Sequence, residues 1–253
     1  MTEPIRIGKN PPHRGRPIGE GGNLRPVRLD LIETIATDTH QAGSLSSPID
    51  AKDLAALHDL ILWPRPEEDT GPGFVRYDPD APQQAQQETI ASQVAVNLLR
   101  AHNLPYYEVR WVETLTRALL LPAIDFRADL VHGWYLEELE TKYPHVSSLL
   151  LAQRITDVEH AVCTLLCGVT ILNRTASPWL PDTLCTTTQF ERRLADKAAR
   201  KGRTVRISEH CFAAPLFTRT PNTGEASSGF FDKTPHLDQV IVVSSWQLLG
   251  ARD

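Results

Sequence analysis

The segment 88–122, ETIASQVAVNLLRAHNLPYYEVRWVETLTRALLLP, restricts the fold more than any other stretch of the chain. Ile90, Val94 and Leu98 recur every four residues, which places them on one face of a helix and marks that face for burial. Asp80 is positioned to cap this helix, with Pro82 accepted in its first turn. Pro105 ends it, because proline has no N–H to donate and crowds the preceding turn. A second helix is predicted from Tyr106 to Leu121, and Pro122 stops it.

Shorter signals flank this pair. Leu29, Ile32, Ile35 and Ala36 in RLDLIETIATDTHQ stand at helical spacing. Pro48 and Asp50 precede a short helix carrying Leu54 and Leu57. ILW and GFVRYDP read as two short strands separated by the turn-rich RPEEDTGPG. After DFRADLVHGWYLEELETKYP, a longer apolar helix is predicted from Ser148 to Leu172, capped by Ser147 or Ser148. From Thr175 the character changes. SPWLPDT breaks the pattern, and QFERRLADKAARKG forms a short charged helix closed by Gly202. RTVRISEH and DQVIVVSSW are strand candidates around the polar loop TRTPNTGEASSG; Val205 and Ile207 alternate as in a half-exposed strand, while VIVV reads as more buried. The chain is therefore expected to be a mixed α+β protein. Residues 1–26, rich in Gly, Pro and Arg, read as a flexible basic tail.

A length of 253 residues suffices for one substantial core, or a main domain with a small appendage. A net charge of −5 argues against a general nucleic-acid coat. No apolar run approaches the ~18 residues that would span a bilayer. The opening MTEPIRIGKNPPHRGRP lacks the apolar centre of a signal peptide, so a cytoplasmic location is expected. Cys163 and Cys167 lie four apart and would share a helix face; with Cys185 and Cys211 they are formally a zinc set, but reduced core cysteines fit the spacing better.

The ordered series PIDAKDLAAL, GFVRYDPDAP, QETIASQVAVNLL, VRWVETLTRALLLP and ELETKYPHVSSLLLAQRI resembles the ImmA/IrrE-type zinc metallopeptidases across roughly residues 27–172. The last run is similar to the family's aromatic–Val-Ser–Arg-hydrophobic pattern. The resemblance implies a helix-rich, zincin-like core with a small mixed sheet over 27–174, followed by a C-terminal α/β appendage over 175–253. It also implies an HExxH motif on the first helix and a glutamate ligand on the second. Two histidines four apart project to one zinc, and the adjacent glutamate polarises a bound water.

This sequence departs at every one of those positions. Ser92 and Val96 stand where the histidines would be, Gln93 at the general-base position, and Trp111 near the third ligand. Serine is a poor zinc ligand, valine is none, and glutamine accepts no proton from water at neutral pH. No two of the nine histidines are four apart. Val96 and Trp111 would make the former cleft dry and filled, so no cofactor is expected. The alternative is an active zinc metallopeptidase that cleaves a repressor, with ligands relocated to His102, Glu108, which has Glu113 nearby, and His132.

Other constellations are weaker. There is no G-x-S-x-G elbow and no glycine-rich nucleotide loop. Cys211 adjoins His210, but neighbours on a strand point to opposite faces. The acidic groups Glu67–Glu68–Asp69 and Glu137–Glu138–Glu140 read as solvated faces. Arg192, Arg193, Lys197, Arg200, Lys201 and Arg203 concentrate positive charge on one short helix, where a nucleic-acid backbone or an acidic protein segment would bind. The leading expectation is a catalytically inactive, metallopeptidase-like protein that binds a protein partner, with a helix-turn-helix regulator as the implied class, in transcriptional, stress or mobile-element control. A nucleic-acid-associated subunit using the basic C-terminal patch is the further alternative, and no membrane partner is expected.

Overall fold

A computed structural model describes residues 26–65, 73–180, 188–216 and 239–245. The helical body opens with α1 (Pro26–Gly43) and α2 (Ala51–Leu57), followed by two short strands, β1 (Ile61–Trp63) and β2 (Phe74–Arg76), that pair in parallel. The central helices α3 (Gln83–Ala101) and α4 (Val109–Leu120) come next, then α5 (Ala123–Leu130), α6 (Leu136–Lys142) and α7 (Ser148–Val158). The hairpin β3 (Ala161–Cys167) and β4 (Thr170–Ala176) precedes α8 (Gln189–Lys201), and β5 (Val205–Ser208), β6 (Cys211–Pro215) and β7 (Gln239–Ser245) complete the described chain. The protein is mixed α+β. No described helix is long and apolar enough to cross a membrane.

Local chemistry sets most boundaries. The Asp50 side chain accepts from Lys52 N–H at 2.8 Å and starts α2, and Ser147 Oγ accepts from Leu150 N–H to start α7. Gly202 ends α8 at φ 58, a left-handed conformation that costs glycine little. At α3 the expected cap differs. Pro82 occupies the cap position, and Asp80 sits in the preceding turn, its N–H bonded to the Asp78 carboxylate. The second central helix is also shorter than expected, because Pro105 to Glu108 form a turn and α4 begins only at Val109.

The largest correction lies at 148–172. The expected long helix stops at Val158, and the rest of the run folds as the β3–β4 hairpin. Val162, Thr164, Val169, Thr170 and Ile171 are β-branched and favour a pleated surface. Gly168, at φ 59, is the first of the two turn residues, where a two-residue hairpin favours glycine. The order β4-β3-β7-β6-β5 gives one five-stranded antiparallel sheet with VIVV of β7 at its centre. Ile207 is 46% exposed at a register shift in β5, so Val205 alone of the expected alternating pair turns inward.

The sheet is covered on both faces. Cys163, Leu165, Phe212, Ala214, Ile241 and Val243 join the helical body in the main core, with Ile32, Leu54, Ile90, Val94 and Leu115. Leu166, Cys211, Ala213, Val240 and Val242 point the other way, onto Leu194, Ala195 and Ala198 of α8. The boundary expected between 174 and 175 falls inside β4, and the main core draws residues from both sides of it. Residues 1–25, the acidic group 67–69 and the loop 218–229 lie outside the described residues.

Candidate functional site

Ser92, Gln93 and Val96 lie on α3, and Trp111 lies on α4. Gln93 is half-buried and turns toward β2, and its amide grips that strand. Arg76 N–H donates to Gln93 Oε1 at 2.8 Å, and Gln93 Nε2 donates back to the Arg76 carbonyl. In the parallel pair, Ile61 N–H reaches the Gly73 carbonyl and Tyr77 N–H reaches the Trp63 carbonyl, so Arg76 turns its peptide groups away from β1. Gln93 thus fills the place of a strand neighbour. An amide donates and accepts at once in this way at any ordinary pH; an ionised glutamate at the same place has no proton for the carbonyl.

The same helix clamps two further elements. Gln87 Oε1 accepts from Ala51 N–H at 2.6 Å while its Nε2 donates to Asp50, fastening the start of α2. Glu88 accepts from Ser147 N–H at 2.9 Å at the start of α7. An open groove runs along this part of α3, lined by Ala85, Glu88, Thr89, Ser92 and Gln93. Trp111 is 2% exposed within the main core and Val96 is half-buried. Ser92 and Gln93 border a groove open to solvent, whereas Trp111 packs inward.

The alternative ligands lie at the surface. His102 is exposed at the C-terminal cap of α3, Glu108 is exposed at the start of α4, and His132 is exposed after α5. Among the described residues no three His, Cys, Asp or Glu side chains gather as a metal site. Cys163 lies in the main core and Cys211 in the core beneath α8, so the sheet separates them. Burial pushes the Cys163 thiol up to about 12, which removes it as a nucleophile at neutral pH. His210 packs edge-on against Trp134 while Cys211 points to the opposite face. Cys185 lies outside the described residues. Glu140 accepts from Ser148 and Glu137 meets Arg206 at 3.4 Å, so the acidic group of α6 does ordinary surface pairing.

Two buried ion networks went unread as such in the sequence. Arg154, fully buried on α7, donates from Nη2 to Glu33 of α1 at 2.9 Å and from Nε to the Leu121 carbonyl at 3.0 Å. Its neighbour Asp157 accepts two bonds from Arg117 of α4, at 2.7 and 3.1 Å. Glu33, Arg154, Asp157 and Arg117 therefore balance one another and lock α1, α4 and α7 together. Arg154 supplies the arginine of the Arg-hydrophobic pattern, which was the signal available. The second network joins α8 to the sheet. Glu191, fully buried, pairs with Arg174 at 2.8 Å, accepts from Thr164, and closes a capping box with Thr188. The basic residues Arg192, Arg193, Lys197, Arg200, Lys201 and Arg203 are all exposed on or just beyond α8.

No family model matches the chain, and no curated protein does. Among solved structures, a Mycobacterium tuberculosis transcriptional regulator is similar over 85% of this chain and 75% of its own, with a TM-score of 0.57 and 13% identity. That likeness is one of fold.

Proposed function

We propose that this chain is a non-catalytic relative of the ImmA/IrrE-type metallopeptidases that works as a regulatory protein by binding a protein partner. The observation that carries this reading is Gln93. The residue at the general-base position commits both atoms of its amide to the Arg76 backbone. A group held in that way neither polarises water nor relays a proton. Ser92 and Val96 on the same helix and Trp111 on α4 offer no ligand set in its place. The fold likeness to a protein described as a transcriptional regulator supports the regulatory direction. A helix-turn-helix regulator is the partner class that the resemblance favours, and on this reading the protein works in the cytoplasm.

The test has two readouts. Elemental analysis of the full chain purified from zinc-supplemented cells is expected to find no stoichiometric zinc. In-cell cross-linking followed by mass spectrometry is expected to recover a helix-turn-helix regulator at full length. One zinc per chain, lost in His102→Ala or Glu108→Ala, would overturn the reading, as would a bound regulator recovered cleaved at one site.

A further inference from the structure

The inner face of α8 is settled by the sheet. Leu194, Ala195 and Ala198 fill the core beneath it, and Glu191 is held by Arg174 and Thr164. Its outward face has no such account. Arg193, Lys197 and Lys201 follow one another at i, i+4 and i+8, a rise of about 6 Å per step. Arg200 stands beside this row, and Arg203, also exposed, follows the cap at Gly202. Among the described residues, none of Arg193, Lys197, Lys201 and Arg203 forms an ion pair. Asp196 is the exposed acid of the helix.

Helix stability does not explain the arrangement. Like charges four apart repel one another on a helix surface, and Arg193–Lys197 and Lys197–Lys201 are both such pairs. Arg200 and Lys201 in the last turn suit the negative end of the helix dipole, but Arg193, beyond the first turn at the other end, gains nothing from it. The chain as a whole carries −5, so this row is a segregated patch and not a sample of a basic surface. A regular polyanion would relieve the repulsion.

We propose that the outward face of α8 binds the phosphate backbone of double-stranded DNA, independently of any role for the α3 groove. The face carries no aromatic platform for unstacked bases, since Phe190 packs toward the core beneath the helix. It also carries no exposed apolar row that would enter a lipid surface: every exposed residue of α8, from Gln189 to Lys201, is polar or charged. Contacts confined to phosphates position a duplex without reading its bases, so binding is independent of sequence.

Fluorescence anisotropy of a labelled mixed-sequence DNA duplex titrated with the full chain tests this. Affinity is expected to fall steeply with salt, by about 0.9 in log–log slope per phosphate contacted. Reversal of the row, Arg193→Glu with Lys197→Glu and Lys201→Glu, is expected to weaken binding roughly tenfold or more at low salt and to flatten the slope by about two to three. Arg127→Glu, on the exposed side of α5, is expected to leave binding unchanged with the same melting temperature. Should the triple variant fail to fold, Lys197→Gln alone is expected to lower the slope by about one. No binding at low salt, equal binding by the folded row variant, an unaltered slope in Lys197→Gln, or tighter binding to polyglutamate or to a single strand of equal length would each overturn the proposal.

Discussion

Gln93 holds Arg76 through both ends of one amide, and exchanging a single atom of that amide tests its role. In Gln93→Glu the donor is lost and a carboxylate faces a carbonyl oxygen. The expected cost is about 1–2 kcal/mol at neutral pH, read as a lower urea midpoint. Near pH 4 the glutamate gains a proton, and the gap to the native chain is expected to narrow. His40 makes a second residue-scale prediction. Its Nε2–H donates to the Leu119 carbonyl at 2.8 Å, and burial holds its pKa below the ordinary value of 6.5. As pH falls below 6.5 the unfolded chain takes up the proton before the folded one does, so stability declines with acid over that window. In His40→Gln, which keeps a donor for Leu119, the loss of urea midpoint between pH 7 and pH 5 is expected to be smaller than in the native chain.

At the scale of the element, α8 owes its place to one buried carboxylate. Glu191 caps its own helix, neutralises Arg174 and receives Thr164. Glu191→Ala removes the buried carboxylate shared by Arg174, Thr164 and the Thr188 N–H, a change that costs about 3–5 kcal/mol. Amide exchange is expected to accelerate along α8 and the adjoining β5 and β6 more than along α3; uniform acceleration would contradict this local role. The hairpin after α7 shows why element type escaped the sequence. From Ala161 to Leu172 the run is almost continuously apolar, and periodicity cannot separate a buried strand from a buried helix in such a run. The β-branched residues and Gly168 were the available signals. By contrast, α3 was legible, because Ile90, Val94 and Leu98 keep strict helical spacing and are all buried.

At the scale of the whole molecule, the sheet binds the two halves of the chain. β3 pairs with both β4 and β7, and its inward residues join the helical core. Calorimetry of the full chain is expected to show one transition with matching calorimetric and van't Hoff enthalpies. A fragment ending at residue 174 lacks α8, β5 to β7 and the end of β4, and exposes the face of β3 toward α8 together with its edge toward β7. It is expected to bind a hydrophobic dye and to melt without a cooperative transition. A fragment that melts cooperatively would establish a boundary at that point.

The helical stripes of α1 and α3, the caps at Asp50 and Ser147 and the stop at Gly202 were legible in the chain itself, as was the absence of a ligating side chain at Ser92, Gln93, Val96 and Trp111. These follow from local periodicity, capping chemistry and side-chain identity, which need no knowledge of distant neighbours. That Gln93 grips β2, that Arg154 and Glu191 are buried hubs, that 161–176 pairs as strands and that Cys163 and Cys211 face opposite ways emerged with the assembled fold. Each of these depends on a partner far along the chain. Burial and pairing across the fold, not composition, set what such a residue does.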